Sequence, residues 1–164
     1  MTPQIDTTGV ERGGPPAALR RALARRIRTA ARAMGCSCAQ IDGLTVLLAD
    51  DARMRALKAE HMGIDEATDV LSFPAAEALP GEPPAPLGDV VLGVQAIARQ
   101  AVTPGWAGWL DEATALAIHG VAHLLGHDHH GRTPARHMLA CERRGSRAVR
   151  VACVRPYGGA GATP

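Results

Sequence analysis

Apolar and polar positions alternate along this chain with two different periods. Residues 17–34 place Leu, Ile, Ala and Met at helical spacing, with Pro15 and Pro16 suited to a first turn and Gly35 to a stop. A helix is expected there. Leu44-Thr45-Val46-Leu47-Leu48-Ala49 reads as a buried strand. Asp50 or Asp51 can then cap a helix over about 52–62, which Gly63 closes. A second strand is expected at 68–73, stopped by Pro74, and a third at 88–93. Between them, 75–86 is an Ala/Pro/Glu loop. Residues 94–102 look helical, and Pro104-Gly105 breaks the pattern. A long apolar helical run follows, strongest over 110–125. Pro134 can open a last helix that Gly145 ends.

The ends differ from this middle. Residues 1–14, rich in Gly, Thr and Pro, read as a disordered N-terminal tail, and 146–164 as a basic, mostly disordered C-terminal tail. That leaves 15–145 as one folded domain. With 164 residues and 46% hydrophobic content, the chain can bury a core. Aromatics are only 2%, so the core must be mostly Ala, Leu and Val, and base stacking is limited to Phe73, Trp106, Trp109 and Tyr157. A net charge of +2 does not by itself imply a nucleic-acid partner. No run suits a membrane span, and the N-terminus does not read as a signal peptide, so a cytoplasmic protein is the expectation. Cys36-Ser37-Cys38 is C-x-C, a weak redox or zinc signal; with Cys141 and Cys153 it reads as reduced thiols. Six arginines on 17–34 form either a solvated face or a phosphate-facing surface.

The chemistry concentrates in His119-Gly120-Val121-Ala122-His123-Leu124-Leu125-Gly126-His127-Asp128-His129. His119 and His123 lie four apart and share one helix face. Gly126 can take a left-handed backbone, end the helix and turn His129 back towards them. Three imidazoles at one point suit Zn²⁺, with the fourth position open to water. His127 and His130 can compete as third ligand. The spacing H-x-x-x-H-x-x-G-x-x-H is that of metzincin proteases. Those carry Glu after the first His as general base, and here the position is Gly120. A metallohydrolase is expected, and not obviously a protease.

Four blocks in order resemble one family, the YbeY-type endoribonucleases or rRNA maturation factors. H-G-V-A-H-L-L-G-H-D-H at 119–129 resembles its H-G-x-L-H-L-x-G-Y-D-H. D-x-x-T-D-V-L-S-F-P matches 65–74, L-G-D-I-V-I matches 87–92, and M-x-x-x-E matches Met138 and Glu142. The resemblance implies an α+β fold: a small mixed sheet with one antiparallel strand, packed with helices, one a zincin-like metal helix. It implies one Zn²⁺ per chain on His119, His123 and His129, which are also the candidate catalytic residues; Asp128, beside the last ligand, is a further candidate. Asp128 is expected to hold a His in orientation more than to act as base. Ser72 and Asp69 either frame the cleft or serve structure.

The implied activity is a zinc-dependent, single-strand-specific endoribonuclease acting in 16S rRNA 3′-end maturation and ribosome quality control. Its implied partners are single-stranded RNA and the small ribosomal subunit or its proteins. The alternative is a non-catalytic, metal-stabilised ribosome assembly factor. A metalloprotease, the third class, is disfavoured by Gly120. Departures from the family pattern are Ala122 for Leu, His127 for Tyr, a loop at 132–134 without acids, and Met62 for a cleft Arg. Met supplies neither charge nor bidentate hydrogen bonds. His61, Lys58 or Arg55 is expected to replace that charge, or activity to be weak.

Overall fold

Alternate residues of a strand face opposite sides of a sheet, so two separate apolar sets require cover on both faces. That is the arrangement in the computed structural model of the protein, which describes residues 3–9, 14–76, 85–128 and 131–152. The elements run β1 (Gln4–Gly9), α1 (Ala17–Met34), α2 (Cys38–Asp42), β2 (Leu44–Ala49), α3 (Asp51–Met62), β3 (Val70–Pro74), β4 (Gly88–Gly93), α4 (Val94–Gln100), α5 (Gly105–Leu124) and α6 (Arg132–Val149). The sheet order is β1-β2-β4-β3. β1 pairs with β2 and β2 with β4 in parallel, while β3 is antiparallel to β4 with Leu71 opposite Val91. The expected mixed sheet with one antiparallel strand is present.

On one face Val46, Leu48, Val90 and Leu92 meet Leu23 and Ile27 of α1 and Leu116, Ala117 and Val121 of α5. On the other, Leu71 and Val91 meet Met54 and Leu57 of α3. α5 is apolar almost all round because it lies between the sheet and two further helices; Thr114 to Ala122 are buried without a break. At Gly120 it approaches the sheet closely because no side chain intervenes. A Cβ on Gly120 would come 2.8 Å from Val90 Cγ1 and 3.0 Å from Ser72 Oγ. Ser72 Oγ donates to the Gly120 carbonyl at 3.2 Å, so Ser72 fastens the helix to the sheet.

Helix ends follow the local signals. Asp50, not Asp51, is the cap of α3, its carboxylate accepting from Arg53 N–H at 2.8 Å. Gly35 closes α1 with φ 104°. Three features differ from the sequence reading. Residues 4–9, expected in a loose tail, form β1; pairing along the free edge of β2 satisfies backbone groups that a short, polar segment does not advertise. The last helix begins at Arg132 and runs through Gly145 and Ser146 to Val149, past the expected boundary at 145. Gly145 is not a stop but a packing residue: a Cβ there would meet Met34 Sδ of α1 at 2.9 Å. α2 was not foreseen, although Ser37 and Gln40 form a capping box at its start. Most of the Pro-rich loop and the tail beyond 152 lie outside the described residues.

Candidate metal centre

The C-terminal end of α5 determines where two imidazoles point. The helix closes in a Schellman turn: Gly126, at φ 82°, donates to the His123 carbonyl at 2.9 Å, and His127 N–H donates to the Ala122 carbonyl at 3.1 Å. This turn folds the His127 carbonyl back over the preceding turn. His123 Nδ1 lies 3.1 Å from that oxygen. His119 Nδ1 lies 2.7 Å from Oε1 of Glu142, which α6 presents from its buried face. Both His119 and Glu142 are buried.

These two contacts assign the tautomers. A carbonyl oxygen only accepts, so His123 Nδ1 must carry the proton and donate it. The Glu142 carboxylate likewise accepts from His119 Nδ1–H. In neutral imidazoles the Nε2 atoms then hold bare lone pairs. Those Nε2 atoms face each other 3.1 Å apart, with the rings at 88°. Two lone pairs at that distance repel unless a cation lies on both. Zinc–imidazole bonds of about 2.0–2.1 Å suit such a pair. The donor set therefore fits a metal, with each ring oriented through its other nitrogen as metal-binding histidines commonly are.

Of the residues singled out from the sequence, His119 and His123 are brought together. His129, expected as the third ligand, and its competitor His130 lie outside the described residues. Among the described residues no group of three His, Cys, Asp or Glu side chains is arranged to hold a metal. His127 contributes its carbonyl to the site. Asp128 is exposed in the turn that follows. Asp69 accepts from Gln100 Nε2 at 3.1 Å and its carbonyl takes Gly93 N–H, a structural setting. The residue that sequence reasoning left without a role is Glu142. Its signal was present: it is the one acid on the face of α6 that also carries Met138 and Cys141.

The surroundings of Met62 are now explicit. Met62 is exposed at the end of α3. Lys58 pairs with Glu66 at 2.5 Å, and Arg55 with Asp65 at 3.4 Å. Hydrogen bonding to Lys58 lowers the Glu66 pKa. His61 packs against Phe73 with ring centroids 4.7 Å apart and the rings tilted by 56°. Two of the three expected substitutes for the missing Arg are thus engaged by acids of the next loop. An apolar cavity of about 520 Å³, lined by Val102, Trp106 and Trp109, lies around the other end of α5. At a helical rise of 1.5 Å per residue, Trp106 is about 20 Å along the axis from His119, too far to share its chemistry.

The family model described as Endoribonuclease YbeY matches residues 14–149. Endoribonuclease YbeY of Deinococcus radiodurans is 43% identical over 122 residues, covering 73% of this chain and 75% of that protein. The protein of the same name from Thermus thermophilus is 53% identical over 89 residues, 53% of this chain and 62% of its own length. Among solved structures, the solution structure of TM1509 from Thermotoga maritima covers 90% of this chain and 92% of its own at 19% identity, with a TM-score of 0.46. With the family pattern running from before α1 to the last residue of α6, this chain belongs to the endoribonuclease YbeY family.

Proposed function

We propose that this protein is a zinc-dependent endoribonuclease that cuts single-stranded RNA, acting on the 3′ end of 16S rRNA in the cytoplasm and in ribosome quality control. The observation that carries the reading is the pair of Nε2 lone pairs converging at 3.1 Å, each ring held by its Nδ1. The family name supports RNA as the substrate. His119, His123 and His129 are the proposed ligands, which makes α5 a zincin-like metal helix. When bound, zinc supplies a Lewis acid for a phosphoryl oxygen and lowers the pKa of its water.

The chain's own residues set what surrounds that ion. Glu142 accepts the His119 Nδ1 proton and makes Nε2 a better donor. Asp128, beside His129, is the proposed positioning residue for that third ring. Gly120 offers no general base, and the 2.8 Å approach of Val90 to its missing Cβ leaves no room for the Glu that proteases place there. Peptide hydrolysis by that route is thus closed by packing as well as by composition.

The test compares wild type with His119→Ala on defined 16S 3′-end fragments and on small subunits, with bound zinc measured in each sample. The proposal expects cutting within single-stranded segments by zinc-loaded wild type and loss of both zinc and cutting in the variant. Cutting that survives loss of zinc would contradict the catalytic metal. Absence of cutting by the loaded wild type on either substrate would favour a non-catalytic assembly factor.

A further inference from the structure

The chain's small net charge conceals a segregation. α1 carries six arginines and no acid, and α6 five arginines and one acid, Glu142, which is buried against His119. These two helices thus hold eleven of the 18 Lys and Arg and one of the 16 Asp and Glu. Seven cations and fifteen acids are left for everything else. The two helices pack directly on each other, Gly145 of α6 lying against Met34 of α1.

The arginines are also ordered within each helix. Arg21, Arg25, Arg28 and Arg32 recur at intervals of four, three and four, a single stripe opposite the buried Leu23, Ile27 and Met34. On α6, Arg136, Arg143 and Arg147 are spaced seven and four apart, opposite the buried Met138, Glu142 and Gly145. Arg21, Arg25, Arg32 and all three α6 members are exposed. Arg26, off the stripe, pairs with Asp111 of α5 at 2.5 Å, and Arg32 of the stripe donates to Cys38 Sγ at 3.3 Å. Each stripe spans about 16 Å at 1.5 Å per residue, the length of several phosphate spacings along an RNA strand.

We infer that the outer arginine stripes of α1 and α6 are basic ridges that hold the phosphate backbone of RNA flanking the segment that enters the metal site. The inference rests on the proposed ribonuclease function and extends it. α6 links the two places. Its inner face presents Glu142 to His119, and its outer face presents Arg143 and Arg147 a helix diameter away, about 10 Å. Phosphates on the ridge are therefore not those at the metal. A row of guanidinium groups at this spacing gives affinity without reading bases, which suits a structured RNA longer than the cleft.

The test uses the full chain, a five-fold variant (Arg21→Gln, Arg25→Gln, Arg32→Gln, Arg143→Gln and Arg147→Gln) and its five-fold Lys counterpart. Two RNAs are compared: a short single strand that only fills the cleft, and a longer one with a duplex beside the same segment. Binding is measured across a salt series. The Gln variant is expected to bind the long RNA at least tenfold more weakly, with a log–log salt slope shallower by about four, since each of five lost phosphate contacts removes roughly 0.7–0.9. Cutting of the short strand is expected to stay within about twofold, and the Lys variant to keep most of the slope. An unchanged affinity and slope on the long RNA would overturn the inference, as would a ridge-dependent binding of anionic vesicles or an acidic protein with none of RNA. If wild type binds the long RNA through the ridge yet cuts neither RNA, the ribonuclease reading fails and the ridge stands.

Discussion

At the scale of single residues, each imidazole is set by what holds its second nitrogen. Glu142 stands 2.7 Å from His119 Nδ1 in a buried setting, so its carboxylate both fixes the ring and enriches its lone pair. Glu142→Gln keeps the shape and removes the charge. It is expected to weaken zinc affinity by about 10- to 100-fold, as loss of such partners commonly does, with little change in melting temperature of the zinc-free protein. A competition titration with a chelator reads the first, and a thermal scan the second. An equal zinc affinity in the variant would remove Glu142 from the site. A second residue makes a pH prediction. Burial, with Cys141 beside it, raises the Cys36 thiol pKa from 9.0 to about 11. The unfolded chain ionises this thiol above about 9, while the folded chain holds its proton to about 11. Stability from this group is therefore complete below pH 9 and falls as pH rises through that window. Cys36→Ala is expected to flatten the alkaline slope of a denaturant-midpoint series; an unaltered slope would assign it elsewhere.

At the scale of elements, packing decides what local pattern does not. Gly145 looks like a helix stop in the sequence, since Gly is a poor interior residue by about 1 kcal/mol. The structure keeps it inside α6 because Met34 Sδ lies 2.9 Å from where a Cβ would be. Gly145→Val is expected to cost about 1–3 kcal/mol through overpacking, read as a lower denaturant midpoint. Stability at or above wild type would show that the two helices separate freely. The same contrast explains what was legible. β2, β4 and α1 announced themselves because their apolar periods and their flanking Asp50, Gly35 and Pro16 agree. The histidine spacing placed His119 and His123 on one helix face, as found. β1 stayed hidden because its pairing is made along the edge of β2, forty residues away, and its residues lack a strong strand pattern. Glu142 stayed without a role because its partner is 23 residues away on another helix, and spacing rules reach only one or two turns.

At the scale of the whole molecule, the fold brings together one end of α5, the inner face of α6 and a turn closed by Gly126. This point is expected to hold a metal that RNA cutting needs. The most direct measurement starts from chelator-treated protein and adds zinc in steps, recording bound zinc and cutting of a 16S 3′-end fragment in the same sample. The account predicts that cutting rises with zinc, levels at one equivalent per chain, and that His123→Ala neither binds that equivalent nor cuts. Full cutting by the metal-free protein, or an undiminished tight equivalent in His123→Ala, would contradict it.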